Sequence, residues 1–220
     1  MKNKRPADPG DAEFLKATRL IEKREYKRAE QALRLGLKKT QQEEDPNGTG
    51  FYYQALGFLY LLQQKKAEAL SFYQKADAVS RDYHAKLAYA RLLTTIYGDH
   101  ATALSKTKEA LDLLPKRDRA AKQAYNIMGL CFLGLGDRES AIIALANSLK
   151  LDPPSSDSYD LTLISELIRQ GVYDKRCVRY LLAILKKAKT EGNERVIRAV
   201  NELLAESKRL EQTTATGEEC

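Results

Sequence analysis

A chain of 220 residues with 43% apolar side chains can bury a substantial core, which excludes a wholly disordered polypeptide. No apolar run approaches the roughly 20 residues of a membrane span, and the charged start "MKNKRPADPGD" has no apolar stretch behind it, so neither a spanning helix nor a secretory leader is expected. The net charge of +7 is spread along the chain, leaning basic only over 172–210 (ten basic, five acidic), so a dedicated nucleic-acid binder is not expected either.

In chain order, residues 1–9 read as a flexible tail. Residues 10–43 predict a first helix pair, with Leu20, Tyr26, Ala29 and Leu33 at helical spacing and Gly36 further on. Over 50–83 the first helix carries Tyr53, Leu56, Gly57 and Tyr60 on one stripe. The polar "QKKAE" turns the chain, and Ala69, Tyr73 and Ala76 mark the second helix. Residues 84–117 repeat this with Leu87, Ala103, Ala110 and Pro115, and with Arg91 where the previous pair has glycine. Residues 122–155 give Tyr125, Met128, Gly129 and Phe132, then Ala141, Leu145 and Ser148. Their turn "GLGDRES" offers Gly136 for a left-handed helix end and Asp137 as the next cap, and Pro153 stops the pair. Residues 156–210 predict a degenerate pair over 157–190, with Tyr159, Gly171, Tyr173 and Tyr180 but Arg176 at the alanine place. A capping helix over 193–212 follows, with Val196, Val200, Leu203 and Leu204 on one face. Residues 211–220 read as a second flexible tail.

Spacing ties these pairs together. Gly57, Arg91 and Gly129 each stand twelve residues before Ala69, Ala103 and Ala141. Ala69 and Ala103 are 34 residues apart; the other intervals, 40 from Ala29 to Ala69 and 38 from Ala103 to Ala141, are that period plus the inserts "EDPNGT" (44–49) and "DRAA" (118–121). A fixed period with insertions between units marks a repeat array. Small residues at the crossing let two helices approach closely, so Gly129 and Ala141 are expected to meet within their hairpin. One hairpin cannot bury both of its apolar faces, so neighbours must stack.

The 34-residue period and the order aromatic, leucine and glycine, aromatic, alanine, aromatic or leucine, small residue, proline resemble the tetratricopeptide repeat. The match is nearly full over 122–155, good over 50–83, partial over 84–117 and weaker over 10–43. The resemblance implies an all-α fold: a right-handed superhelical solenoid of antiparallel helix pairs, about four to five repeats plus a C-terminal capping helix.

Catalytic chemistry has no visible carrier. Paired carboxylates, Cys–His pairs, phosphate loops and metal spacings are absent from the sequence, so no enzyme, cofactor or metal is expected. Cys131, Cys177 and Cys220 are odd in number and far apart, which fits a reducing cytoplasm. Cys131 reads as a packing thiol, and Cys177, beside Arg176 and Arg179, as structural too. His84 and His100 lie near helix starts without evident partners.

Proteins of the resembled family hold a peptide or helix in the concave groove lined by their first helices. Here the lining predicted from the helix faces is Phe14, Thr18 and Ile21, then Gln54, Phe58 and Leu61, then Ala88, Leu92 and Thr95, then Asn126, Leu130 and Leu133. A subgroup of the family clamps a C-terminal carboxylate through asparagine. Those places hold Thr18, Phe58, Leu92 and Leu130, so an apolar groove is expected instead. The function expected is a non-catalytic scaffold or adaptor whose partner is another protein, offering a helix or extended apolar segment; homo-oligomerisation is left open. Two alternatives stand beside it: a chaperone for hydrophobic secreted or membrane-inserting clients, and RNA binding through the basic C-terminal region. Reversing the groove with charge at Phe58 and Leu92 is expected to abolish binding without unfolding the chain.

Overall fold

The computed structural model describes residues 12–114, 120–151, 159–171 and 175–216, and among these every regular element is helical. Pro115, Pro153, Tyr173, the expected tail at 1–9 and residues 217–220 of the tail expected at 211–220 lie outside the described residues, whereas 211–216 are helical. The chain divides into two compact units, residues 1–97 and 98–220. The division falls between the two helices expected at 84–117.

The first unit holds α1 (Ala12–Glu22), α2 (Tyr26–Gln42), α3 (Pro46–Leu62), α4 (Lys66–Val79) and α5 (Tyr83–Leu92), the last continuing into a π turn at Leu93–Tyr97. Each helix packs on the next. One local device closes the first three connections. Glu25 N–H bonds Leu20 C=O at 2.9 Å, Asp45 N–H bonds Thr40 C=O at 3.0 Å, and Lys65 N–H bonds Tyr60 C=O at 2.9 Å. These are six-to-one bonds across a left-handed residue, supplied here by Arg24, Glu44 and Gln64, with φ of 59°, 53° and 61°. Helix α3 starts earlier than its repeat pattern suggests. Asp45 caps it, accepting from the N–H groups of Asn47 and Gly48, and Pro46 occupies the first turn. The segment 44–49, expected as an insert, therefore supplies a cap and an extra helical turn.

Glycines set the closeness of packing. A methyl group on Gly57 would lie 2.6 Å from the Tyr73 ring, so α3 and α4 meet where the sequence places the small residue. Gly36, standing where the repeat usually has alanine, answers a different need. A methyl there would lie 2.2 Å from Cζ of Tyr52, whose side chain is completely buried. The ring of α3 fills the space a side chain on α2 would occupy. Ala17, Ala29, Leu33, Leu56 and Leu59 complete this core.

The second unit holds α6 (His100–Leu113), α7 (Ala120–Gly134), α8 (Arg138–Leu151), α9 (Tyr159–Arg169), α10 (Lys175–Glu191) and α11 (Glu194–Thr216). Helix α11 runs to Thr216, beyond the expected end of the capping helix. The same six-to-one closure joins Asp137 N–H to Phe132 C=O across Gly136 (φ 80°), and Asn193 N–H to Ala188 C=O across Gly192 (φ 66°). Asp137 accepts from Ser140 N–H at 3.0 Å, as its capping role requires, and these bonds hold its carboxyl below the usual carboxylate range.

Gly129 has a close neighbour outside its own hairpin. The nearest atoms to a methyl group there belong to Leu163 of α9, at 2.5 Å, rather than to Ala141 of α8. At Gly129, α7 thus makes room for a side chain of α9. Leu145, Leu163, Leu167, Leu181, Ile184 and Val200 form the centre of this unit's core. Cys131 and Cys177 are buried within the unit. His100 also has a neighbour that the sequence did not reveal: its ring lies against Gly134, where a methyl group would come within 2.2 Å of it.

Candidate functional site

The first unit carries an open hollow of about 270 Å³. Two helices build its walls: α1 contributes Phe14, Thr18 and Ile21, and α3 contributes Phe51, Gln54 and Phe58. Spacing explains the selection. Positions 14, 18 and 21 fall on one face of α1, and 51, 54 and 58 on one face of α3. Phe14 and Phe51 meet edge to face, ring centroids 4.8 Å apart, which fixes both rings across the hollow. Thr18 spends its hydroxyl on the carbonyl of Phe14, 3.0 Å away, and so offers its methyl group outward. Phe58 remains 49% exposed, an aromatic ring that the fold has not covered.

Gln54, Tyr73 and Arg91 supply the polar groups. Burial pushes the Tyr73 phenol above its ordinary value, and the nearby Arg91 cation partly offsets this. The phenol is therefore neutral at physiological pH. Arg91 is the one cation in the lining, and no carboxylate stands there among the described residues. The wall is thus apolar with a single positive group at one side.

Five residues expected in the groove, Phe14, Thr18, Ile21, Gln54 and Phe58, come together in this hollow. Leu61, three positions beyond Phe58, is half-buried and outside it. Ala88 and Leu92, at 6% and 3% exposure, are inside the protein rather than on a groove, because α5 is buried on most of its circumference. Thr95 is exposed but sits in the π turn, its hydroxyl bonded to the Arg91 carbonyl at 2.8 Å. The wider turn rotates it off the face that regular helical spacing assigns. In the second unit Asn126 and Leu133 are buried, at 2% and 4%, and Leu130 packs against the core. Helix α9 lies against α7 there, and Leu133 shares a cluster with Leu163 and Leu167. Leu92 is accordingly a poor site for a charge, since a glutamate there would be buried.

Sequence reasoning passed over Phe51, Tyr73 and Arg91 as lining. Phe51 is seven residues before Phe58 and so shares its face, a legible signal. Arg91 stood out as a cation in a glycine position.

The elements so far define a class: an all-α protein of helix hairpins, closed by recurrent left-handed turns and bearing an apolar hollow on one helix pair's neighbours. Residues 122–155 match the family model described as tetratricopeptide repeat. No curated protein matches the sequence. Among solved structures, the crystal structure of MamA is similar with a TM-score of 0.49 and 16% identity, over 91% of this chain and 96% of that one. The TPR2AB-domain:pHSP90-complex of yeast Sti1 is similar with a TM-score of 0.43 and 17% identity, over 87% of this chain and 83% of that one. Among the described residues no helix is long and apolar enough to cross a membrane.

Proposed function

We propose that this chain is a non-catalytic protein-interaction module that holds an apolar segment of a partner, helical or extended, in the hollow between α1 and α3. The observation that carries this reading is the half-exposed ring of Phe58, set among Phe14, Ile21 and Phe51 in a cavity large enough for one or two side chains. A ring left in water at the mouth of an apolar cavity gains by being covered. Covering the exposed half of a phenylalanine removes about 100 Å² of apolar surface from water, a contribution of about 2.5 kcal/mol. Arg91 adds selectivity: a partner with a carboxylate next to its apolar anchor gains an ion pair at the hollow's edge.

The experiment is affinity capture from native extract with the wild-type chain beside Phe58→Glu, circular dichroism confirming equal helicity. The surface position of Phe58 makes the variant compatible with folding. A partner held by wild type and lost from the variant supports the hollow as the site. Identical partners on both chains place binding elsewhere and overturn the reading.

A further inference from the structure

We propose that the outward ridge of α10 is a second docking surface, for an acidic segment of another protein that carries carboxylates on both sides of an apolar residue. Helix α10 has six basic residues and one acidic residue. Lys175, Arg179, Leu182, Lys186 and Lys189 succeed one another at four- and three-residue steps, so they share one narrow arc of the helix over about 21 Å. All five are exposed, and Leu182, at the middle, is 53% exposed.

Among the described residues no carboxylate pairs with the cations of this ridge. Several surface cations elsewhere have carboxylates one helical turn away, as in Arg34 with Glu30 at 2.8 Å and Lys106 with Glu109 at 3.1 Å. Lys187, off the ridge, faces Glu191 at 3.8 Å. Among the described residues, Lys175, Arg179, Lys186 and Lys189 form no ion pair. Two local rules are broken in the process. Lys175 and Arg179, and Lys186 and Lys189, are like charges at spacings where they repel. The first turn of α10 also carries basic residues and no acidic one, against the helix dipole. Among the described residues no carboxylate offsets either cost, and an acidic partner would.

The chemistry of the ridge selects the partner. A single-stranded nucleic acid gains from aromatic platforms for its bases, and the ridge has none: Tyr180 of α10 is buried. Contacts to phosphate alone would leave Leu182 in water. A helix lying on a bilayer brings a whole apolar face to it, but Cys177, Tyr180, Leu181 and Ile184 of α10 are spent in the core. An apolar point flanked by cations along one line instead fits a protein segment with an apolar residue between carboxylates, the apolar contact central and the ion pairs at its rim.

The test uses the full chain and a fluorescein-labelled, end-capped helical peptide with leucine at its centre and glutamates four and seven positions to either side. A peptide of scrambled order, a 20-nucleotide oligouridylate and vesicles of phosphatidylcholine with phosphatidylserine are the comparison probes. Anisotropy or sedimentation gives affinities at 50 and 200 mM salt, concentrations that differ in screening. The designed peptide is expected to bind more tightly than every comparison probe. Arg179→Glu/Lys186→Glu is expected to weaken it roughly tenfold or more. Leu182→Ser is expected to weaken it without changing its salt dependence. These positions are exposed, and circular dichroism checks that the variants keep their helicity. Absence of peptide binding, equal binding by the scrambled peptide, or tighter binding of oligouridylate or vesicles would overturn the proposal. Phe58→Glu leaves this binding unchanged if the ridge acts independently of the hollow; its loss there would overturn the assignment to α10.

Discussion

Gly36→Ala tests the packing of the first unit most sharply, because two effects of known size oppose each other there. Alanine in the middle of a helix is favoured over glycine by about 1 kcal/mol, so at an exposed site the substitution would stabilise α2. At position 36 the added methyl meets Cζ, Cε1 and Oη of Tyr52 at 2.2, 2.3 and 2.4 Å. The ring is completely buried. Overpacking of this kind costs about 1–3 kcal/mol, so the net effect is a loss of up to roughly 2 kcal/mol after the helical gain. Urea unfolding followed by circular dichroism measures it, with Tyr52→Leu as the second arm of a double-mutant cycle. Tyr52→Leu alone destabilises by leaving a cavity. In that background Gly36→Ala should be neutral or stabilising by up to about 1 kcal/mol, a coupling of about 2 kcal/mol between two residues on different helices. If Gly36→Ala stabilises the wild-type chain, the account of the Gly36–Tyr52 fit is wrong.

Other outcomes follow from single observations. Gln64 adopts a left-handed conformation in the α3–α4 turn, so Gln64→Gly should raise stability by up to about 1 kcal/mol, measurable by thermal unfolding; a loss would show that its side chain contributes more than its strain costs. Asp45→Ala removes the cap of α3 and should cost about 1 kcal/mol in urea unfolding. Arg91→Leu removes the charge that pulls the Tyr73 phenol down, so Tyr73 should titrate at still higher pH by NMR of ring-labelled protein. The sign is fixed: a raised phenol favours the fold fully below the unfolded value, and that contribution fades as pH rises through the folded value. An unchanged titration would separate Arg91 from Tyr73.

The helices were legible where a local signal was also the structural cause. Gly57 and Tyr73 meet as their spacing indicates, and Gly136 and Asp137 turn and cap as their chemistry demands. Legibility ended where a third element decided the outcome. The twelve-residue interval from Gly129 to Ala141 says that two helices share a hairpin, but nothing in it says that Leu163 of the next helix comes closer. Ala88, Leu92 and Leu133 repeat the phase of Phe58, yet phase gives a face and not what covers it. The π turn at Leu93–Tyr97 has a faint signal in "LTTIY". Thr94 and Thr95 bond back to the carbonyls of Ala90 and Arg91, and such bonds distort helices. Gly36 reads as a weakness in the repeat until Tyr52 is seen in the space it leaves.

The central claim is that the hollow between α1 and α3 recognises an apolar anchor with a carboxylate beside it. Selection of a random displayed peptide library on wild type, Phe58→Glu and Arg91→Glu tests it and requires no identified partner. The account predicts that wild type enriches peptides sharing an aromatic or branched aliphatic residue with an acidic residue nearby. Phe58→Glu should lose that enrichment, and Arg91→Glu should keep the apolar residue while losing the acidic preference. Enrichment of the same peptides by wild type and Phe58→Glu, or of peptides with no shared apolar residue, would contradict it.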